Sequence, residues 1–332
     1  MLNIKNFINI LKSKIYQILH FKKFTILFSK RKDFPKLVQI QTVNRCNTSC
    51  EMCPYESTTA TEKFNLMHDN LFKKIIDEIT KNKETSLIVL SLQNEPLADK
   101  NIIKRAKYIK SRSSKIKIEL VSNGYLLTPS ISDEIYKIFD IVTLSIHATT
   151  PSTYKKVMGG LDFNKTFSNL MYIKNSREKR AKTVLRFVKQ KSNFHEYKEF
   201  KRFWNRHGIS VFGFDLNSRL KMIKNYDDMK HRTSKFQKIK LKLLEKISPY
   251  IFASCPIPKM SMYIRSNGDV IHCFNDWNNE NIAGNLKTKT VKEVYNSKEM
   301  LSFSDRVKNN TCHKNDICTN CELYNNGIYL TF

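Results

Sequence analysis

Several features are scarce or missing in this 332-residue chain. No uncharged apolar run reaches the roughly 18 residues that a membrane-spanning helix needs, so no such helix is predicted. No small-residue cleavage site follows an apolar core near the N-terminus, which argues against a secretory signal and makes the cytoplasm the expected location. Glycine is sparse, at eight residues, and none of it forms a nucleotide-binding fingerprint. No internal repeat is evident. Acidic residues number 30 against 58 basic ones, a formal charge of +28. Such an excess suits a nucleic-acid or anionic-membrane partner. The basic residues are spread along the whole chain, however, and lysine dominates arginine in a sequence rich in Lys, Asn and Ile, as an AT-rich coding sequence would give. No specific nucleic-acid partner is therefore expected, and an acidic partner stays open.

What is present is a rhythm. With 41% hydrophobic residues the chain can bury a sizeable core. From residue 37, strand-like runs alternate with amphipathic helical runs: "KLVQIQTV", "SLIVLSL", "KIKIELV", "DIVTLSIH", "TVLRFVKQ" and "ISVFGFDL" read as six strands, with five helices between them. In "DNLFKKIIDEITKN", Leu71, Ile75, Ile76 and Ile79 share one face. In "SISDEIYKIF", Ser130 or Ser132 is the expected cap. The pattern predicts an α/β fold with a parallel sheet curled into an open or closed barrel, whose ligands bind at the carboxyl ends of the strands. Four segments follow. Residues 1–36 are a basic amphipathic segment, 37–218 the core domain, 219–252 a basic connector with a helix at "KFQKIKLKLLEKI", and 253–332 a small cysteine-bearing α+β domain. The first segment is expected to pack its apolar stripe on the protein, with peripheral membrane contact through residues 1–30 as the second reading.

The eight cysteines carry the chemistry. In a cytosolic chain, clustered thiols point to metal or iron–sulfur ligation ahead of disulfides. Cys46, Cys50 and Cys53 lie directly after the first strand with spacing C-x3-C-x2-C. Thiolates select zinc, copper(I) or iron–sulfur clusters. A structural zinc site is closed by four ligands, which would need His68 or a distant cysteine here. A three-thiolate four-iron cluster instead keeps one iron open to a substrate or cofactor. "QNEP" after the second strand and "SNG" after the third fall on the same rim.

These residues resemble the radical S-adenosylmethionine (SAM) superfamily. Its signature is C-x3-C-x2-C after the first strand of a partial (β/α)6 barrel. The resemblance implies a [4Fe–4S] cluster on Cys46, Cys50 and Cys53, with SAM chelating the open iron. It also implies an electron donor such as flavodoxin or ferredoxin, reductive cleavage of SAM, and a 5′-deoxyadenosyl radical that takes a hydrogen atom from the substrate. The family's Gly-Gly-Glu-Pro becomes Gln93-Asn94-Glu95-Pro96, carrying Glu95 and Asn94 over as contacts to SAM. "TNG" becomes Ser122-Asn123-Gly124. Ser145 or His147 corresponds to a polar contact after the fourth strand, and Arg186 and Val188 to adenine-side positions. "DLNSR" adds Asn217 and Arg219. Met52 stands where the family often has an aromatic residue.

The C-terminal region resembles the SPASM/twitch extension of the same superfamily, in "CPIPKMSMYIRSNGDVIHC", "DWNNENIAGNL" and "CTNC". By that resemblance Cys255, Cys273, Cys318 and Cys321 hold one auxiliary [4Fe–4S] cluster, and Cys312 is spare or an alternative ligand. Asp276 is offset from the position where some relatives place a base, and is kept with His147 as a catalytic candidate. The expected substrate is a sugar-like or aminocyclitol alcohol oxidised to a ketone, with a peptide or protein side chain as the alternative. The reading from another class is a basic zinc-binding, nucleic-acid-binding protein without catalysis.

Overall fold

The structure is a computed structural model that describes residues 31–231, 255, 257–309, 311–312 and 317–321. The expected N-terminal helix, with its membrane contact, and the connector helix over 235–247 lie outside the described residues.

Six parallel strands form as the alternation predicts: β1 (Leu37–Ile40), β2 (Leu87–Val89), β3 (Lys117–Ser122), β4 (Ile141–Ser145), β5 (Thr183–Lys189) and β6 (Ser210–Asp215). The sheet then continues through β7 (Ser261–Ile264), β8 (Asp269–Ile271) and β9 (Ile282–Asn285). Its order is β6-β5-β4-β3-β2-β1-β7-β8-β9. β7 runs parallel to β1, whereas β8 and β9 are antiparallel. The C-terminal region is thus built onto the open edge of the partial barrel. Every residue of β7 is buried, as befits a strand covered on both faces. The hairpin from β7 to β8 turns at Asn267-Gly268, where Gly268 takes φ +91°, a conformation glycine adopts without steric penalty.

The helices follow from pattern and caps. Asp69–Lys81 buries Leu71, Phe72, Ile75, Ile76 and Ile79 against the sheet, each such side chain contributing about 1.5–3 kcal/mol. Its outer face grips the C-terminal region. Lys74 Nζ donates to the Leu286 carbonyl (2.8 Å), and Glu78 accepts from the Val291 (2.8 Å) and Lys292 (3.0 Å) amides. The helix Pro129–Ile138 corrects one expectation: its cap is Thr128, not Ser130 or Ser132. Pro129 takes the first helical position, where its missing N–H costs nothing, so the cap moves upstream. Short helices at Pro151–Val157 and Arg177–Lys182 add to the five expected. In the C-terminal region, Val291–Tyr295 starts with a Thr290/Glu293 capping box and Lys298–Asn309 follows it. Among the described residues, no helix is long and apolar enough to cross a membrane.

Candidate active site

The loop after β1 carries Cys46, Cys50 and Cys53, and it is braced from four sides. Tyr55 Oη accepts the Cys46 amide (2.9 Å), and the Cys53 amide closes a turn onto the Cys50 carbonyl (2.9 Å). The Glu51 amide donates to the Val157 carbonyl (3.1 Å), while Thr48 Oγ1 donates to the Met158 carbonyl. Gln190 Nε2, just past β5, donates to Glu51 Oε2 (2.8 Å). Gly159 makes the close approach possible. A Cβ there would lie 2.5 Å from the Ser49 carbonyl carbon and oxygen, and its φ of +60° also favours glycine. The chain reverses past the helix Pro151–Val157 with its backbone directly against the cysteine loop.

The three thiols sit close enough to act on one another. Burial pushes the Cys46 thiol up to about 12, and the nearby Glu95 carboxylate adds to this. Burial raises Cys50 as well, helped by Cys53 and Cys46. Burial also raises Cys53, opposed by the Tyr55 amide and the Arg219 guanidinium. The Asn47 and Thr48 amides favour the Cys46 thiolate in the same way. Thiols so costly to ionise bare become good ligands once a cation shares the site, and amides aimed at sulfur are the outer support that such a centre needs. The donor set therefore fits an iron–sulfur cluster. Among the described residues, no three His, Cys, Asp or Glu side chains converge on a point able to hold a single metal ion.

Beside the thiols, the rim is organised by Glu95. It is 2% exposed, and its oxygens accept from Ser122 Oγ (2.8 Å), the Leu97 amide (3.0 Å) and the Asn123 amide (2.8 Å). Its own amide donates to the Arg45 carbonyl (2.9 Å). Asn123 Nδ2 in turn donates to Asn47 Oδ1 within the cysteine loop (2.7 Å). Glu95 thus ties the end of β2 to β3 through its carboxylate and to the loop after β1 through its amide. Burial lifts it to about 7, against the pull of those three donors. Asn94 Oδ1 accepts from the Leu92 amide (3.0 Å), and its Nδ2 has no partner among the described residues.

On the far side, His147 Nδ1 accepts the Val188 amide (3.1 Å), which puts the ring proton on Nε2. Burial depresses its pKa to about 4, and the Arg219 charge acts in the same direction. His147 is therefore a neutral donor with no ring lone pair left for a base. Val188 packs against a small apolar group of Met52, Val157, Leu216 and Ile223, so Met52 is turned into packing. Ser145 lies opposite Arg186 in the β4–β5 register. Arg186 pairs with Glu119 of β3 at 3.6 Å. After β6, Arg219, Leu220 and Lys221 take positive φ in succession (51°, 61° and 67°). Asn217 Oδ1 accepts the Arg219 amide (2.8 Å) in that turn, which holds the Arg219 charge near both Cys53 and His147.

The other five cysteines also gather. Cys255, Cys318 and Cys312 meet Phe303 and Val307 in one apolar patch. Burial raises Cys255 to about 12 and Cys273 well above its ordinary range, with Cys321 and other thiols of the group adding to both. Burial raises Cys318 too, with Cys273, Cys312, Cys255 and Cys321 acting on it. Cys312 thus belongs to the group rather than standing apart. Asp276, 2% exposed, spends its carboxylate on the Asn281 amide (2.9 Å), Asn281 Nδ2 (3.2 Å) and the Glu280 amide (3.4 Å).

Residues 40–215 match the radical SAM superfamily. The chain belongs to that superfamily. Residues 255–322 match the SPASM iron–sulfur cluster-binding domain. A SAM-binding [4Fe–4S] cluster, auxiliary cluster ligation and SAM itself are the cofactors of this radical SAM enzyme. The radical SAM cyclopropyl synthase TigE of Paramaledivibacter caminithermalis is 26% identical over 156 residues, 42% of this chain and 33% of that protein. The chain spans half or less of the length of the curated relatives it matches. Among solved structures, SuiB of Streptococcus suis bound to precursor peptide SuiA has a TM-score of 0.67 at 15% identity, covering 93% of this chain and 73% of that one. BtrN in complex with AdoMet and 2-DOIA has a TM-score of 0.59 at 16% identity, covering 86% and 92%. At these identities the likeness speaks for the fold, a radical SAM partial barrel with its C-terminal extension.

Sequence reasoning missed Tyr55, Gly159 and the cross-link made by Gln93. Only Gly159 carried a local signal, the adjacent glycines of "MGG" in a glycine-poor chain.

Proposed function

We propose that this radical SAM enzyme oxidises a sugar-like or aminocyclitol alcohol to the ketone. The observation that carries this reading is the gathering of all five C-terminal cysteines into one group, enough thiols for one four-iron cluster and too few for two. An alcohol becoming a ketone loses a hydrogen atom, a proton and one further electron, so a single acceptor centre suffices. When bound, the catalytic cluster with SAM supplies the one-electron chemistry that removes the hydrogen atom, and the auxiliary cluster supplies an electron acceptor. The two-way coverage of BtrN, solved with AdoMet and 2-DOIA, supports the reading.

The assigned roles follow from placement. Cys46, Cys50 and Cys53 hold the catalytic cluster, and Cys255, Cys273, Cys318 and Cys321 the auxiliary one. Glu95 holds the rim in register, and Asn94 Nδ2, without a partner among the described residues, donates to the polar end of SAM. Asn123, Ser145 and Val188 line the nucleoside side. His147 contributes its Nε2–H as a hydrogen-bond donor. Arg186, held by Glu119, fixes the floor of the barrel beneath them. Asp276 positions its own loop and receives no proton-transfer role.

A peptide substrate is the second reading, favoured by the 93% coverage of this chain by peptide-bound SuiB. The test is to incubate the reduced holoenzyme with SAM and panels of C-deuterated cyclitols, aminosugars and peptides. Deuterium in 5′-deoxyadenosine together with a ketone product from the first two panels supports the proposal. Deuterium transfer confined to peptides would replace it with the second reading.

A further inference from the structure

Gln93 occupies a position where the superfamily usually has glycine, and its side chain has a specific destination. It is 2% exposed. Its Nε2 donates to the Asp276 carbonyl (2.7 Å) and, more weakly, to the Phe274 carbonyl (3.3 Å). Those carbonyls flank Asn275, whose amide points at Cys273 Sγ at 3.5 Å. Several further bonds lie within the turn. The Asp276 amide donates to the Cys273 carbonyl (3.0 Å), the Trp277 amide to the Asn275 carbonyl (3.1 Å), and the Asp276 carboxylate accepts from residues 280 and 281. Among the described residues, its attachments to the barrel side include Gln93 and a bond from Asn279 Nδ2 to Glu62 Oε1 (3.0 Å). Gln93 therefore joins the loop that also carries Asn94 and Glu95 to the loop that follows an auxiliary-cluster cysteine.

We propose that Gln93 is a positioning residue that holds the Asn275 amide on the Cys273 sulfur and so sets the reduction potential of the auxiliary cluster. An amide donating to a cluster sulfur stabilises the reduced, more negative state, and outer hydrogen bonds of this type tune both metal sites and iron–sulfur potentials. Glycine at 93 would remove the bond to the Asp276 carbonyl and leave the turn with one attachment fewer. The inference rests on Cys273 being an auxiliary ligand.

The test uses the full chain, reconstituted with iron and sulfide, in a Cys46→Ala/Cys50→Ala/Cys53→Ala background so that only the auxiliary cluster gives a signal. Its potential is followed by electron paramagnetic resonance during redox titration, with Gln93 kept or changed to Met or Gly. Gln93→Met keeps the bulk without the donor, so it guards against a mere cavity effect. Both substitutions are expected to shift the potential to more negative values while iron content stays at about four per chain. An unchanged potential in both would overturn the proposal. Cys273→Ala in the same background separates the two premises. Loss of the cluster signal upholds the ligand assignment independently of Gln93, and a retained signal would overturn that assignment and the bridge with it.

Discussion

The two thiol groups of this enzyme are built in opposite ways. Cys46, Cys50 and Cys53 lie within eight positions of one loop, held by backbone and side-chain bonds to the ends of β3 and β5 and to the turn at Gly159. Cys255, Cys273, Cys312, Cys318 and Cys321 come from segments far apart in the chain; Cys255, Cys312 and Cys318 meet around Phe303 and Val307, and Cys273 and Cys321 lie near enough to act on Cys318. A preformed ligand loop can leave a coordination site open, because the protein and not the metal holds its shape. A group assembled from distant segments owes more of its order to the metal that closes it. If the first thiol group is an open site and the second a closed one, as proposed, they need different kinds of support, and the contrast can be broken at named residues.

The largest effect is expected at Gly159. Gly159→Ala combines a left-handed backbone with a Cβ pressed into Ser49, a cost of about 2–4 kcal/mol that falls on the catalytic loop. The variant should lose the iron of the catalytic site, about four per chain, and keep the auxiliary signal. Retention of both signals would mean the loop tolerates displacement. Next comes Glu95→Gln. The three groups around Glu95 are all donors to it, so an amide NH2 must face one of them. A loss of about 1–3 kcal/mol in chemical unfolding is expected, with weaker SAM binding measured by calorimetry.

A subtler contrast lies in pH. Glu95 titrates near 7 in the folded protein, above the ordinary carboxyl value. Its contribution to stability is present below about 4.5 and lost as pH rises through about 7. His147 titrates near 4, below the ordinary imidazole value. Its contribution is present above about 6.5 and lost as pH falls through about 4. Between these ordinary values the two slopes oppose each other. Replacing His147 with Gln should expose the Glu95 slope. Relative to the parent, stability then falls with rising pH by up to about 1.4 kcal/mol per pH unit between about 4.5 and 6.5. Parallel profiles for parent and variant would contradict this. The smallest effect is expected for Cys312→Ala, which should leave iron content unchanged if Cys255, Cys273, Cys318 and Cys321 suffice. Loss of the auxiliary iron would make Cys312 a ligand.

Much of this was legible in the residues themselves. The six-strand rhythm and the triple cysteine were readable because apolar periodicity and ligand spacing are local properties. The β7–β1 pairing was not, since a short, fully buried strand carries no signal for its partner. The direction of His147 was equally hidden, because its tautomer is set by the Val188 amide, brought beside it by the β4–β5 pairing. Gln93 read as a lost glycine. Its purpose appears only once β7, β8 and the turn at Cys273 are seated beside β1 and β2.

Iron content measured together with SAM cleavage, after anaerobic reconstitution, tests the separation of the two sites most directly. About eight irons per chain are expected for the parent. With Cys46, Cys50 and Cys53 replaced, about four irons should remain and SAM should no longer be cleaved. With Cys318 and Cys321 replaced, about four irons should again remain, but SAM should still be cleaved. Zinc in place of iron, or loss of both clusters from either set of substitutions, would contradict two independent thiol sites, one open and one closed.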